Sequence, residues 1–334
     1  MIDRVGVVLA FGVVSALCVE GCGSSGASNA PAGGSGGVSA SGGGGSGGNV
    51  GGSAGATGGS AGATGGAGGS PSDAGDDGST PATDHVLISE VGIEPGGAEF
   101  VELWNPTSAD VDLSDYYLAD NSAYHALTTG PWAPGGTPGT DFLVRFPAGT
   151  TLAAGAVLVV ASEPAQGNDG FAQIFGSCPT FTMNATGAAL SCNGGNVPAM
   201  TVPPNGSVGA NAGALFSNDR EMIVLFTWDG SANTVKDVDY VTWGTNFDDN
   251  TRIDKTGISG YQPDTARNLQ KPANQGVAGD GGASLSIERC SAESAETQTG
   301  GNGLTGHDET SEDMTTAFVS QASPSPGTKN SCLP

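Results

Sequence analysis

The sequence predicts an all-β fold: one β-sandwich domain preceded by a disordered Gly/Ser-rich linker. Three observations predict it. The 58 glycines of the 334-residue chain are concentrated in one stretch that has no aromatic residue. Beyond residue 84, short apolar runs with period-two alternation are separated by Gly, Pro, Asn and Asp, the punctuation of strands and turns. No stretch sustains the 3.6-residue apolar period of a helix, and many short strands with turn signals point to a sandwich.

The chain divides into three parts. Residues 1–21 read as a lipoprotein signal peptide: Met1 to Arg4 form a short n-region and residues 5–19 an apolar run. The run is short for a membrane span and has no stop-transfer flank, as in a secretory h-region. It ends in Val19-Glu20-Gly21-Cys22, which resembles a bacterial lipobox, with Cys22 as the residue to be acylated. Glu20 departs from that pattern and Asp3 weakens the positive n-region. Cys18 competes with Cys22 but follows the bulkier Leu17. An ordinary signal peptide is the alternative, yet a Gly/Ser tether directly after Cys22 makes sense only if its end is held. Gly23, in place of the Asp that retains such proteins at the inner membrane, points to the outer membrane of a Gram-negative bacterium. The chain is expected there by a lipid anchor, on the cell surface or the periplasmic face, each buried methylene contributing about 0.8 kcal/mol.

Residues 22–83 form the linker, nearly all Gly, Ser, Ala, Thr and Asn. Such a segment cannot offset its ordering entropy by apolar burial. As a flexible coil it spans about 40–45 Å. Its repeats place no apolar residue at a recurring position, so they are low complexity and not a solenoid. Gly33-Gly34-Ser35-Gly36-Gly37 matches the nucleophile-elbow pattern, but with no flanking strand or helix the match is chance.

Residues 84–334 form the folded domain. Strands are expected at 85–91, 99–105, 111–120, 142–146, 156–161, 221–227, 235–242 and 284–289. Alternation puts Val101 and Leu103 on one face of the second, and Phe100, Glu102 and Trp104 on the other. Residues 293–313, rich in Gly and acids, read as a mobile loop.

Several motifs now line up in order. Leu87-Ile88-Ser89-Glu90-Val91 precedes Glu99-Phe100-Val101-Glu102-Leu103-Trp104-Asn105-Pro106 and Val111-Asp112-Leu113-Ser114. Phe146-Pro147-Ala148-Gly149-Thr150 is followed by Val157-Leu158-Val159-Val160, then by Val235-Lys236-Asp237-Val238-Asp239-Tyr240 and Ser284-Leu285-Ser286-Ile287-Glu288-Arg289-Cys290. Together these resemble a lamin tail domain. The resemblance implies an immunoglobulin-like β-sandwich, without shared catalytic residues, that serves as an accessory or interaction module. Function from fold alone is analogy. Asp115-Tyr116 departs from the usual Gly-Trp, and 121–141 and 166–214 are long insertions.

Four cysteines remain in the domain, and in an exported protein they read as disulfides with three pairings open. The favoured pairing joins Cys178 to Cys192, which would staple the second insertion, and Cys290 to Cys332, which would tie down the tail. Zinc fits the cysteines poorly: no Cys-x-x-Cys exists, and His85, His125 and His307 lie far apart in sequence. No catalytic constellation is proposed by the sequence.

Charge narrows the partners. Of the formal charge of -24, nine of ten basic and 29 of 34 acidic residues lie from residue 84 onward, so the domain carries about -20. Such a surface repels phosphate backbones, and nucleic acid is not an expected partner. Asp110, Asp112, Asp115 and Asp120 form one acidic cluster; Asp248, Asp249, Asn250 and Asp254 form another. The second is the candidate calcium site, since Ca²⁺ takes six to eight oxygen ligands. The plainer use of these residues is turn formation and solubility. Trp132, Trp228 and Trp243 could form a glycan platform, although core packing is the commoner use.

Two functions stay open. One is a lipid-anchored, surface-exposed interaction or structural module without catalysis, its partner a surface protein or a glycan. The other is an accessory domain of a metal-dependent extracellular hydrolase, or such a hydrolase itself. No cofactor is required by the first; calcium would be the metal of interest in either.

Overall fold

The computed structural model describes residues 83–132, 139–162, 170–184, 187–209, 215–244, 250–274, 285–321 and 323–333. The expected signal peptide, Cys22 and almost all of the linker lie outside the described residues.

The strands in chain order are β1 (Leu87–Glu94), β2 (Phe100–Trp104), β3 (Val111–Asp112), β4 (Tyr116–Ala119), β5 (Phe142–Arg145), β6 (Thr151–Leu152), β7 (Val157–Ser162) and β8 (Phe181–Met183). They continue with β9 (Leu190–Cys192), β10 (Gly195–Val197), β11 (Ser207–Val208), β12 (Arg220–Thr227), β13 (Lys236–Gly244), β14 (Leu285–Arg289) and β15 (Phe318–Gln321). One sheet runs β15-β14-β1-β2-β7-β8 and the other β11-β5-β4-β12-β13. All pairs in these sheets are antiparallel except β7 with β8. Two short helices, α1 (Phe171–Phe175) and α2 (Met314–Ala317), lie outside the sheets.

The sheets share one core. Val91 and Val101 of the first meet the same cluster as Leu118, Val224 and Tyr240 of the second, all fully buried. Each such aliphatic side chain contributes about 1.5–3 kcal/mol when removed from water. A polar bond also crosses: the Ile88 amide donates to Asp239 Oδ2 at 2.5 Å.

The alternation expected for β2 holds, but both of its faces are buried. Val101 and Leu103 enter the core between the sheets. Phe100 packs edge-to-face against Phe171 and Phe175 of α1, with ring centroids 5.8 and 5.6 Å apart. Gly92 on the neighbouring strand leaves the space for its ring, which a Cβ would occupy. Trp104 is covered by Leu87 and by Leu333 near the chain's end. The second insertion and the C-terminal tail thus roof the sheet's outer face.

The disulfides join Cys178 to Cys192 and Cys290 to Cys332, the favoured pairing. The expectation of a mobile loop at 293–313 is corrected. The segment holds a 3-10 turn at Glu309–Ser311 and buries His307, Glu309 and Glu312. Its acids have cationic partners that composition does not reveal: Glu312 meets Arg289 at 2.7 Å and Asp313 meets Lys271 at 2.6 Å.

Candidate functional site

Of the residues proposed for calcium, Asp248 and Asp249 lie outside the described residues. The Asn250 carbonyl accepts from the Ser122 amide at 2.9 Å. The Asp254 carboxylate closes a turn, accepting from the Thr256 amide at 3.0 Å, and its pKa is lowered by those bonds against the cost of desolvation. The other acidic cluster disperses. Asp110 accepts from the Ala154 amide, Asp112 from Ser114, Asp115 pairs with Arg145 at 2.6 Å, and buried Asp120 accepts from the Phe142 amide at 2.7 Å. These are turn and strand-end bonds.

Two buried cations are each held by a pair of carboxylates. Arg289 of β14 reaches Asp239 of β13 at 2.8 Å and Glu312 at 2.7 Å, while its Nε donates to the Ile88 carbonyl at 3.0 Å. Burial raises the Glu312 pKa to about 7 against the pull of that guanidinium. Lys255 lies between Asp237 at 2.7 Å and Asp264 at 3.2 Å, and donates to the Tyr124 hydroxyl at 2.9 Å. Tyr124 comes from the first insertion, which is thereby tied into the interior.

On the first sheet three carboxylates stand in a row, because register places Glu90 opposite both Glu288 and Glu102. Like charges so placed repel. Burial, which outweighs the hydrogen bond from Ser286, raises the Glu90 pKa to about 8, and burial raises that of Glu102 to about 7. The tail caps the row: the Gly327 amide donates to Glu102 at 2.7 Å and the Ser325 amide to Glu90 at 3.2 Å.

The histidines correct the sequence reading most. His85 and His307, far apart in the chain, have ring centroids 5.8 Å apart. Glu293 Oε1 lies 3.1 Å from His85 Nε2, and Glu296 Oε2 lies 3.6 Å from His307 Nδ1. His85, Glu293 and His307 form one group whose donor atoms all lie within 4.8 Å; Glu296, His307 and Glu309 form a second. Desolvation opposes charge on His85, but Glu293 and Asp84 outweigh it and raise the pKa to about 9. Close Glu-x-x-Glu and His-x-Glu spacings were visible in 293–309, yet no motif tied them to His85.

A shallow groove of about 300 Å³ lies elsewhere, lined by Trp228, Tyr117, Arg145, Thr201 and Asn205 among others. Trp228 is half-buried and donates its indole N–H to the Ala232 carbonyl at 2.8 Å. Arg145 stacks over Tyr117 at 5.5 Å. The three tryptophans form no common platform: Trp132 and Trp243 are buried, and Trp243 donates to the Ser217 carbonyl.

The chain is similar to a solved DUF4876 family protein from Bacteroides thetaiotaomicron, at 15% identity and a TM-score of 0.40, over 75% of each chain. No curated protein matches it. The family model of the Lamin Tail Domain matches residues 79–245, half of the chain, and takes in β1 to β13. With the β-sandwich and the ordered motifs of its strands, this chain belongs to the lamin tail domain family.

Proposed function

We propose that this chain is a lipid-anchored, surface-exposed binding module without catalysis, held through Cys22 and carried on the Gly/Ser-rich segment. One observation supports a binding role above the others. The groove beside Trp228 joins an indole, the Thr201 hydroxyl and the Asn205 amide. An aromatic face with a few polar groups around it suits a small ligand, and suits a neutral glycan in particular. Arg145 is already engaged by Asp115 and by the Ser114 carbonyl, so the groove presents little free positive charge. The strongly perturbed acids lie inside the domain and serve as braces, which supports a structural use for them over chemistry on a substrate.

The test is glycan-array binding and envelope pulldown with the purified chain and its Trp228→Ala variant. Retention of a glycan or surface protein that weakens about tenfold or more in the variant supports the reading, a change of about 1.4 kcal/mol. Equal retention by both proteins sinks the groove as the site. The anchor is tested separately by fatty-acid labelling, expected in the natural chain and lost in Cys22→Ser.

A further inference from the structure

Three buried atoms converge where the chain entering β1 meets the segment 290–313, and their chemistry is that of a metal site. His85 Nε2, His307 Nδ1 and Glu293 Oε1 are each enclosed, and none has a hydrogen-bond partner of acceptable geometry. Native interiors rarely leave one such atom unsatisfied, let alone three facing one another. His85 is 3% exposed and His307 9%.

The separations fit a single ion. His85 Nε2 lies 3.1 Å from Glu293 Oε1; His307 Nδ1 lies 4.0 Å from the same oxygen and 3.6 Å from Glu296 Oε2. Zinc bonds of about 2.0–2.1 Å to nitrogen and oxygen put tetrahedral donor atoms about 3.3–3.4 Å apart. The observed edges bracket that value.

The surroundings fit as well. His85 Nδ1 donates to Asp84 Oδ1 at 2.9 Å, and Nε2, on the other side of the ring, faces the cluster. A carboxylate on the far nitrogen of a ligating imidazole is the usual outer support of such a ligand. His307 and Glu309 are held by a tight loop in which the Gly303 amide donates to the His307 carbonyl at 2.9 Å. A Cβ on Gly301 would run into that carbonyl, so the loop's path requires glycine there.

We infer that His85, Glu293 and His307 bind one divalent transition metal of the zinc type, with Glu296 and Glu309 grouped on the other side of His307. Two imidazole nitrogens suit zinc and its neighbours, whereas calcium takes oxygen ligands. Glu293 supplies one ligating negative charge, and Glu296 lies 3.6 Å from His307 Nδ1. The His85 side chain is 1% exposed, while those of His307 and Glu293 are 11% and 17% exposed, so the site is largely but not wholly enclosed. The metal pins 290–313 to the chain entering the first strand, next to the Cys290–Cys332 disulfide. This inference is independent of what the groove binds.

The experiment is elemental analysis of the full chain, loaded with Zn²⁺ and dialysed against metal-free buffer, with melting curves before and after chelation. About one zinc per chain, a melting temperature that falls on chelation and returns with Zn²⁺, and tetrahedral visible bands after Co²⁺ substitution are expected. The His85→Asn and His307→Asn variants are expected to retain less than about a tenth of the metal while keeping the acidic cluster. If a variant fails to fold by circular dichroism, the stoichiometry of the natural chain still decides. Zinc retained no better than by an unrelated acidic protein, or a melting curve indifferent to Zn²⁺ and chelator, overturns the inference. So does stabilisation by Ca²⁺ alone.

Discussion

Replacing Arg289 with methionine removes a guanidinium that is fully buried and faces two carboxylates, Asp239 at 2.8 Å and Glu312 at 2.7 Å. The methionine fills much of the volume and still meets the Phe318 ring, over which the guanidinium lies at 4.5 Å. What it cannot do is neutralise the acids or donate to the Ile88 and Ala292 carbonyls, each 3.0 Å away. Breaking a buried pair from one side costs about 3–5 kcal/mol, since the remaining charges must be protonated or solvated. For a domain of this size that lowers the melting temperature by about 6–20 °C, out of a total stability of about 5–15 kcal/mol. The assay is thermal and urea unfolding of the natural chain, Arg289→Met, and the triple variant with Asp239→Asn and Glu312→Gln. Removing the orphaned charges should return a large part of the loss, because a buried pair replaced on both sides is often nearly neutral. A loss below about 1 kcal/mol in the single variant would refute the claim that this network braces the sheets. A triple variant less stable than the single one would refute its electrostatic cause.

Further outcomes follow from the same geometry. Glu90, Glu99 and Glu102 have pKa values raised to about 8, 8 and 7, chiefly by burial, so the native state holds protons that the unfolded chain has released. Their contribution is therefore full below the ordinary glutamate pKa and is lost as pH climbs towards 8; melting should drop between pH 5 and 8, and Glu90→Gln should flatten the slope. Tyr124→Phe removes the hydroxyl that bonds Lys255 and Asp237, and denaturant titration should show a loss of about 1–3 kcal/mol. Reducing Cys290–Cys332, or replacing both with serine, frees the tail that covers Glu90 and Glu102; about 4 kcal/mol is the chain-entropy upper estimate, and hydrogen exchange should rise first at Ser325 and Gly327. Gly301→Ala should destabilise the 290–313 segment and lower metal retention together, read by melting and elemental analysis.

The sequence alone determined the parts of this protein that depend on local pattern. Period-two alternation and turn residues marked β1, β2, β5, β7, β12, β13 and β14, since a strand's apolar period is written in neighbouring residues. The cysteine pairs were legible because each closes a short or terminal loop. Period could not say that the outer face of β2 is also covered: α1 and Leu333 supply that cover from positions remote in the chain. The short strands β8 to β11 escaped notice because the second insertion carries little alternation. The acids were the least legible of all. Composition made 293–313 look solvated, whereas the fold brings Arg289, Lys271 and His85 to it. The His–Glu centre is likewise a product of the tertiary structure. Its ligands come from the residues just before the first strand and from a loop more than 200 residues later, and sheet pairing of β1 with β14 closes that distance. Local sequence carries the period of a strand, but charge pairing and ligand convergence depend on which strands become neighbours.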